Sequence, residues 1–238
     1  MSSRFLLTPS GGLEWHLRAL RRRHRLWAGF CDELGRWLAT WRPAARDLLL
    51  LGPSAGWCLP DDFLTRFRRI DAVDLDPLAS LLFRALHGRA LAASGASFGF
   101  ERADALDGLD RLLARHPDHA VLFANLLGQR RFHRTDADAT EAELAALGAR
   151  LAGRSWASFH ERLSGRVRDL EGAPEAFACR GALVPAALAR RVGASGEWLD
   201  HLTTHVLPDG VERRIMPWRL RPGRLHWVEA GRVGRTAL

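Results

Sequence analysis

The stretch that decides the fold is DLLLLGPSAGWCLP, Asp47 to Pro60, followed by RIDAVDLDPLA, Arg69 to Ala79. A short continuous apolar run ends in a turn of small residues. A second apolar run ends in an acid, Asp74. A continuous run of this length reads as a strand buried on both faces, as in a parallel sheet covered by helices. A small-residue turn at the carboxyl end of such a strand lets a ligand come close to the backbone. An acid at the end of the next strand stands beside it and accepts hydroxyl hydrogen bonds from a nucleoside ribose.

Working outward, the alternation continues. Asp61 to Phe67 reads as a short helix and Asp76 to Leu91 as a strong one, with Asp76 as N-cap and Pro77 in its first turn. SFGFERAD is a third strand ending at Asp104, beside Ala105, and ALDGLDRLLARH is a helix. HAVLFANLLG is a fourth strand carrying Asn125, DATEAELAALGARLA is a helix, and SWASFHERL is a fifth strand. Strands alternating with helices predict an α/β fold with a doubly wound, mostly parallel sheet. Before it, residues 13 to 41 place Leu13, Leu17, Leu20, Leu26, Phe30, Leu34, Leu38 and Trp41 near helical spacing, which predicts one long amphipathic helix. The expected organisation is a helical extension over 1–45 and a Rossmann-like domain over 46–238. Near the C-terminus VERRIMPWRL, RPGR and LHWVEAGRV read as a β-hairpin, with Pro222 and Gly223 at the central positions of a type II turn. Between about 162 and 205 the pattern is weak, with helical pieces expected around 184–191 and 197–204.

Composition narrows the function classes. The chain has 238 residues, 47% hydrophobic, enough for a sizeable core. No apolar run approaches the roughly 20 residues that span a bilayer, and Met1 to Arg25 does not read as a signal peptide. Cys31, Cys58 and Cys179 are far apart and odd in number, against a disulfide framework, so the cytoplasm is the expected compartment. The net charge of +8 suits an anionic partner such as nucleic acid. All 35 basic residues are arginine and are scattered along the chain, which reflects biased composition as well as it reflects a binding face. Nucleic acid is therefore not the favoured partner.

Gly52-Pro-Ser54-Ala-Gly56 lacks the middle glycine of G-x-G-x-x-G and has Trp57 where close helix packing is needed, which argues against a dinucleotide. The same residues spell G-x-S-x-G, the nucleophile elbow, with Ser54 as nucleophile and Asp200 and His205 as partners. That reading leaves Asp74 and Asp104 without a role. His160 is a candidate general base on the fifth strand. His201 and His205 are four apart, but no third ligand presents itself, so no metal site is expected.

In order and spacing these segments resemble the class I S-adenosylmethionine-dependent methyltransferases. LLLLGPSAG resembles that family's glycine-rich first motif, AVDLDP its second, ERADAL its third and VLFANLLGQ its fourth. The resemblance covers about residues 45 to 161 and the C-terminal hairpin. It implies a Rossmann-like fold and S-adenosylmethionine as cofactor. It places Gly52, Ser54 and Gly56 in the cofactor loop, Asp74 on the ribose hydroxyls, Asp104 and Ala105 at the adenine, and Asn125 toward the methyl donor. Ser54 stands where the family usually has glycine, which requires its backbone angles to be ordinary. The alternative is a non-catalytic binding or scaffold protein that keeps the fold.

Overall fold

The computed structural model describes residues 12–167, 174–192 and 197–234. The described chain divides into two compact units, residues 12–124 and residues 125–234, so residues 12–45 belong to the first unit and do not stand apart.

The first unit holds α1 (Gly12–Arg22), α2 (Ala28–Thr40), β1 (Asp47–Leu51), α3 (Asp61–Leu64), β2 (Arg69–Asp74), α4 (Ala79–Ser94), β3 (Ser97–Arg102), α5 (Leu109–Arg115) and β4 (Ala120–Ala124). Its strands are parallel in the order β3-β2-β1-β4, with Leu48 opposite both Ile70 and Ala120. Leu48 to Leu51 and all of β4 are buried, as continuous apolar runs require. Phe83 of α4 stacks on Phe98 of β3 at 4.5 Å, and Trp41 stacks on Phe63 at 6.0 Å.

The long N-terminal helix of the sequence reading is two helices. The chain turns at 23–27, where Trp27 N–H bonds back to Arg22 and its ring, fully buried, meets Trp15 at 5.2 Å. Burying that indole outweighs continuing a helix through RRRHR, where like charges repel at helical spacing. The buried face of α1 is also not the leucine face. Gly12, His16 and Ala19 are buried, whereas Leu13, Leu17 and Leu20 are exposed.

The second unit holds α6 (Ala137–Ala145), α7 (Leu147–Arg150), β5 (Trp156–Arg166), β6 (Phe177–Arg180), α8 (Pro185–Arg191), β7 (Trp198–Asp200), β8 (Glu212–Arg221) and β9 (Arg224–Val233). A six-residue 3-10 helix, Leu127–Phe132, follows Asn125. Here the pairing is antiparallel, β5 with β9, β9 with β8, β8 with β6, and β7 with β5. The pairing is therefore parallel in the first unit and antiparallel in the second, which departs from the mostly parallel sheet expected. The hairpin forms as read, and Gly223 at φ +66° supplies the left-handed residue that a type II turn needs. The helical piece expected at 197–204 is instead strand β7 followed by a turn, because Trp198 to Asp200 pair with Leu163 to Gly165.

The core of this unit is partly ionic. Ten consecutive residues of β5 are buried, including His160, Glu161 and Arg162. Side chains alternate across a strand, and His160 and Arg162 both reach Glu229 of β9, at 3.2 and 3.1 Å. Arg213 of β8 meets the same carboxylate at 3.1 Å. The arginines spend further donors on Leu183 O, Thr204 Oγ1 and Leu207 O, while Nε of each has no partner among the described residues. Burial would raise the Glu229 carboxyl, but His160 and the two guanidiniums hold it down at about 2.

Glu229→Gln keeps the shape and removes the charge that compensates Arg162 and Arg213. Breaking one side of a buried ionic cluster costs roughly 3–5 kcal/mol; the urea midpoint should fall accordingly. Because the folded carboxyl is depressed from 4.5 to about 2, its stabilisation is present above pH 4.5 and lost as pH falls toward 2. The wild type should lose this advantage over the variant across that acid window.

Candidate functional site

In a parallel sheet the carboxyl ends of neighbouring strands share one edge. Leu51 lies opposite Val73, and Asp74 opposite Arg102, so the loops after β1, β2 and β3 emerge together. The expected Gly52, Ser54, Gly56, Asp74, Asp104 and Ala105 all lie on these three loops or strand ends.

The loop after β1 is a run of left-handed turns: Gly52 and Gly56 both have φ +71°, and Ser54 has φ +51°. Ser54 does not have the ordinary angles that a serine in this position requires. What holds it is Asp74, whose Oδ2 accepts the Ser54 N–H at 2.6 Å while Oδ1 accepts the Asp76 N–H at 2.8 Å. Gly56 is further constrained, since a Cβ there would come within 2.8 Å of both His87 Nε2 and Phe83 Cε2 of α4. Burial pushes the Asp74 carboxyl up to about 6, against the two backbone hydrogen bonds.

Asp76 does more than cap a helix. Its Oδ1 accepts the Leu78 N–H at 2.9 Å, an Asx turn ahead of α4, and its Oδ2 accepts the Gly12 N–H at 3.0 Å and meets His16 Nε2 at 2.9 Å. Burial would raise Asp76, but His16 and these N–H groups hold it below the usual carboxylate range. The other nitrogen of His16 accepts from Trp57 Nε1 at 2.9 Å, and Arg23 lies over the Trp57 ring at 5.6 Å. Helix α1 is thus bound to the small-residue loop and to the β2 end. The signal for this was His16, a lone histidine among the leucines of α1, and periodicity assigned it to the wrong face.

Asp104 caps the turn before α5, its Oδ1 accepting the Leu106 and Asp107 N–H groups at 2.9 and 3.0 Å, and Ala105 is buried beside it. Asn125 is the first residue of the second unit. Its backbone N–H bonds to Phe159 O at 2.8 Å and its side-chain amide donates to Glu161 Oε1 at 3.4 Å.

Two catalytic readings lose their support. Ser54 Oγ is buried with no hydrogen-bond partner among the described residues, so no base activates it as a nucleophile. Asp200, its expected partner, accepts the Leu202 N–H in a local turn. His160 is fully buried between Ser158 Oγ and Glu229, and burial lowers its pKa, so it meets no acceptor proton. His201 and His205 do not pair either: His205 is exposed, whereas His201 is buried against Glu161 and Ser164.

No family model matches the sequence, and no curated protein matches it significantly. Among solved structures the chain is similar to the N-methyltransferase NodS from Bradyrhizobium japonicum WM9 in complex with S-adenosyl-L-homocysteine. The identity is 17%, covering 98% of this chain and 96% of that one, with a TM-score of 0.43. It is also similar to magnesium protoporphyrin IX methyltransferase from Synechocystis PCC 6803 with bound S-adenosylhomocysteine, at 12% identity over 97% of this chain and 92% of that one, with a TM-score of 0.48. A putative O-methyltransferase from Nostoc punctiforme PCC 73102 matches at 14% identity over 92% of this chain and 60% of its own, with a TM-score of 0.46.

The left-handed turn at Ser54 can be tested by stability. Relieving a side chain in the left-handed region is worth about 1–2 kcal/mol per residue, less the ~0.5–1 kcal/mol entropic cost of glycine. Ser54→Gly should therefore match or exceed the wild type in thermal stability, while the β-branched Ser54→Val should fall below it by at least about 1 kcal/mol. A valine variant as stable as the wild type contradicts the turn.

Proposed function

We propose that the protein binds S-adenosylmethionine on the edge formed by the β1, β2 and β3 loops and transfers its methyl group to an acceptor of a class still open. The observation that carries the reading is the clamp of Asp74 on the Ser54 N–H at the carboxyl edge of a 3-2-1-4 parallel sheet. This is where open α/β sheets bind ligands. The unpartnered, buried Ser54 Oγ fits a polar ligand group at the same loop. In this reading Gly52, Ser54 and Gly56 bring backbone against the ligand, and Asp74 accepts the ribose hydroxyls on its remaining lone pairs. Asp104 and Ala105 border the base. Asn125 donates its amide to Glu161 and stands apart from this set.

The bound cofactor supplies an electrophilic methyl on a sulfonium. The protein's part is to position the acceptor in line and keep water out, which can provide most of the catalysis without a dedicated base. Helices are taken to cover both faces of the parallel strands, as a doubly wound sheet requires. The absence of a membrane-length apolar helix among the described residues is compatible with the cytoplasmic compartment proposed here.

Calorimetric titration with S-adenosylhomocysteine tests the reading. Binding is expected in the wild type, and loss of charge-assisted bonds worth roughly 1.5–3 kcal/mol each should weaken it at least about tenfold in Asp74→Ala. No heat and no thermal shift at millimolar ligand would favour the scaffold alternative. The ionised carboxylate is the better hydroxyl acceptor and Asp74 titrates at about 6. Wild-type affinity should therefore rise between pH 5 and pH 8, assay conditions placed roughly one unit below and two above that value, where a carboxylate goes from mostly protonated to ionised. In Asp74→Asn it should stay flat.

A further inference from the structure

Glu161 of β5 points to the face opposite His160 and Arg162. There its Oε2 lies 3.2 Å from His201 Nδ1 and its Oε1 3.0 Å from His226 Nδ1 of β9. All three residues are buried, and each offers a donor atom within 4.8 Å of the others. The strands bring them together. β5 pairs with β9 across a register shift between Glu161 and Leu163, and His201 N–H bonds to Arg162 O just after β7. A bulge of this kind re-aims side chains, and here it sets Glu161 toward the two rings.

As a purely structural network the arrangement is incomplete. His226 Nε2 makes no hydrogen bond among the described residues although the residue is only 6% exposed, while its Nδ1 faces Glu161 Oε1 at 3.0 Å. Leaving a buried polar atom unsatisfied costs about 1–3 kcal/mol. Asn125 Oδ1 is unpartnered too, in a residue held at φ +56° with its amide nitrogen on Glu161. Orphan atoms and a left-handed backbone at one carboxylate are what a ligand site leaves behind.

We propose that Glu161, His201 and His226 form a site for a divalent transition-metal ion of the zinc class. Two imidazoles and one carboxylate favour such ions over magnesium or calcium, which take oxygen donors. Bonds of about 2.0–2.1 Å in a tetrahedron put neighbouring donors roughly 3.3 Å apart; each histidine nitrogen lies 3.0 or 3.2 Å from one of the two carboxylate oxygens, and the three donors fall within 4.8 Å of one another. His201 Nδ1 lies 3.1 Å from Gly128 O, a contact that places a proton on it; metal binding would displace that proton and leave the ring in the other tautomer. In that tautomer a proton on Nε2 donates to Ser164 Oγ at 3.0 Å, the outer hydrogen bond that fixes a ligating ring. Asn125, whose amide nitrogen faces Glu161, would have to turn its amide over to offer Oδ1 as a fourth donor. The other histidine–carboxylate group, Asp71 with His116 and His119, differs in that Arg69 already binds Asp71 through two nitrogens at 2.7 and 3.0 Å.

The test is titration of the chelator-treated full-length protein with Zn²⁺ by calorimetry and with Co²⁺ by visible absorption. One equivalent per chain and a tetrahedral cobalt spectrum are expected. Glu161→Gln and His226→Ala should each weaken binding by more than the roughly 10–100-fold that loss of a ligand's hydrogen-bond partner costs, while His119→Ala keeps full stoichiometry. No stoichiometric uptake, or uptake lost in His119→Ala and kept in the other two, overturns the proposal. Should His226→Ala fail to fold by circular dichroism, X-ray absorption on the zinc-loaded wild type decides: two imidazoles support the site, and none or one removes it.

Discussion

The first unit depends on one carboxylate. Asp74 stands where β2 leaves the sheet, and its two oxygens take N–H groups from two separate loops, Ser54 in one and Asp76 in the other. Those N–H groups belong to turns with no ladder partner, so buried backbone donors there must be met by a side chain. Meeting them holds Ser54 in the left-handed region and places Asp76 so that one oxygen starts α4 and the other receives α1. The loop, the helix after β2 and the N-terminal helix are thereby tied to a single acid.

The second unit shows a similar economy of buried charge. Consecutive residues of β5 alternate between two polar sites, His160 and Arg162 toward Glu229 on one face and Glu161 toward His201 and His226 on the other. The Glu229 side sets two guanidiniums around one carboxylate, with carbonyls and Thr204 on further donors and each arginine Nε unpartnered among the described residues. The Glu161 side sets one carboxylate against two imidazoles, with His226 Nε2 and Asn125 Oδ1 unpartnered among the described residues. The two faces differ in donor chemistry: guanidiniums have no lone pair to give a cation, whereas imidazoles do.

Much of this was readable beforehand. Continuous apolar runs marked β1 and β4, as strands buried on both faces are written, a short apolar run broken by Asp71 marked β2, and turn chemistry marked the β8–β9 hairpin at Pro222-Gly223. The small-residue loop and the acid some twenty residues on were legible as a pair because parallel neighbours put their carboxyl ends side by side. Less was legible where a residue's environment comes from distant chain. Leu13, Leu17 and Leu20 have helical spacing, yet the buried face of α1 is set by Asp76 and Trp57 taking His16.

The sequence by itself determined most of the local elements of the first unit, the C-terminal hairpin and the small-residue loop after β1 with its glycines, because periodicity, turn preference and strand ends are properties of neighbouring residues. Only the tertiary structure decided that Ser54 is left-handed, that His160 is sealed away from any substrate, and that Glu161 meets His201 and His226 rather than His201 meeting His205. These outcomes turn on strand register and a bulge that join residues 40 and 65 positions apart in sequence, separations (161 to 201 and 226) over which no local pattern carries information.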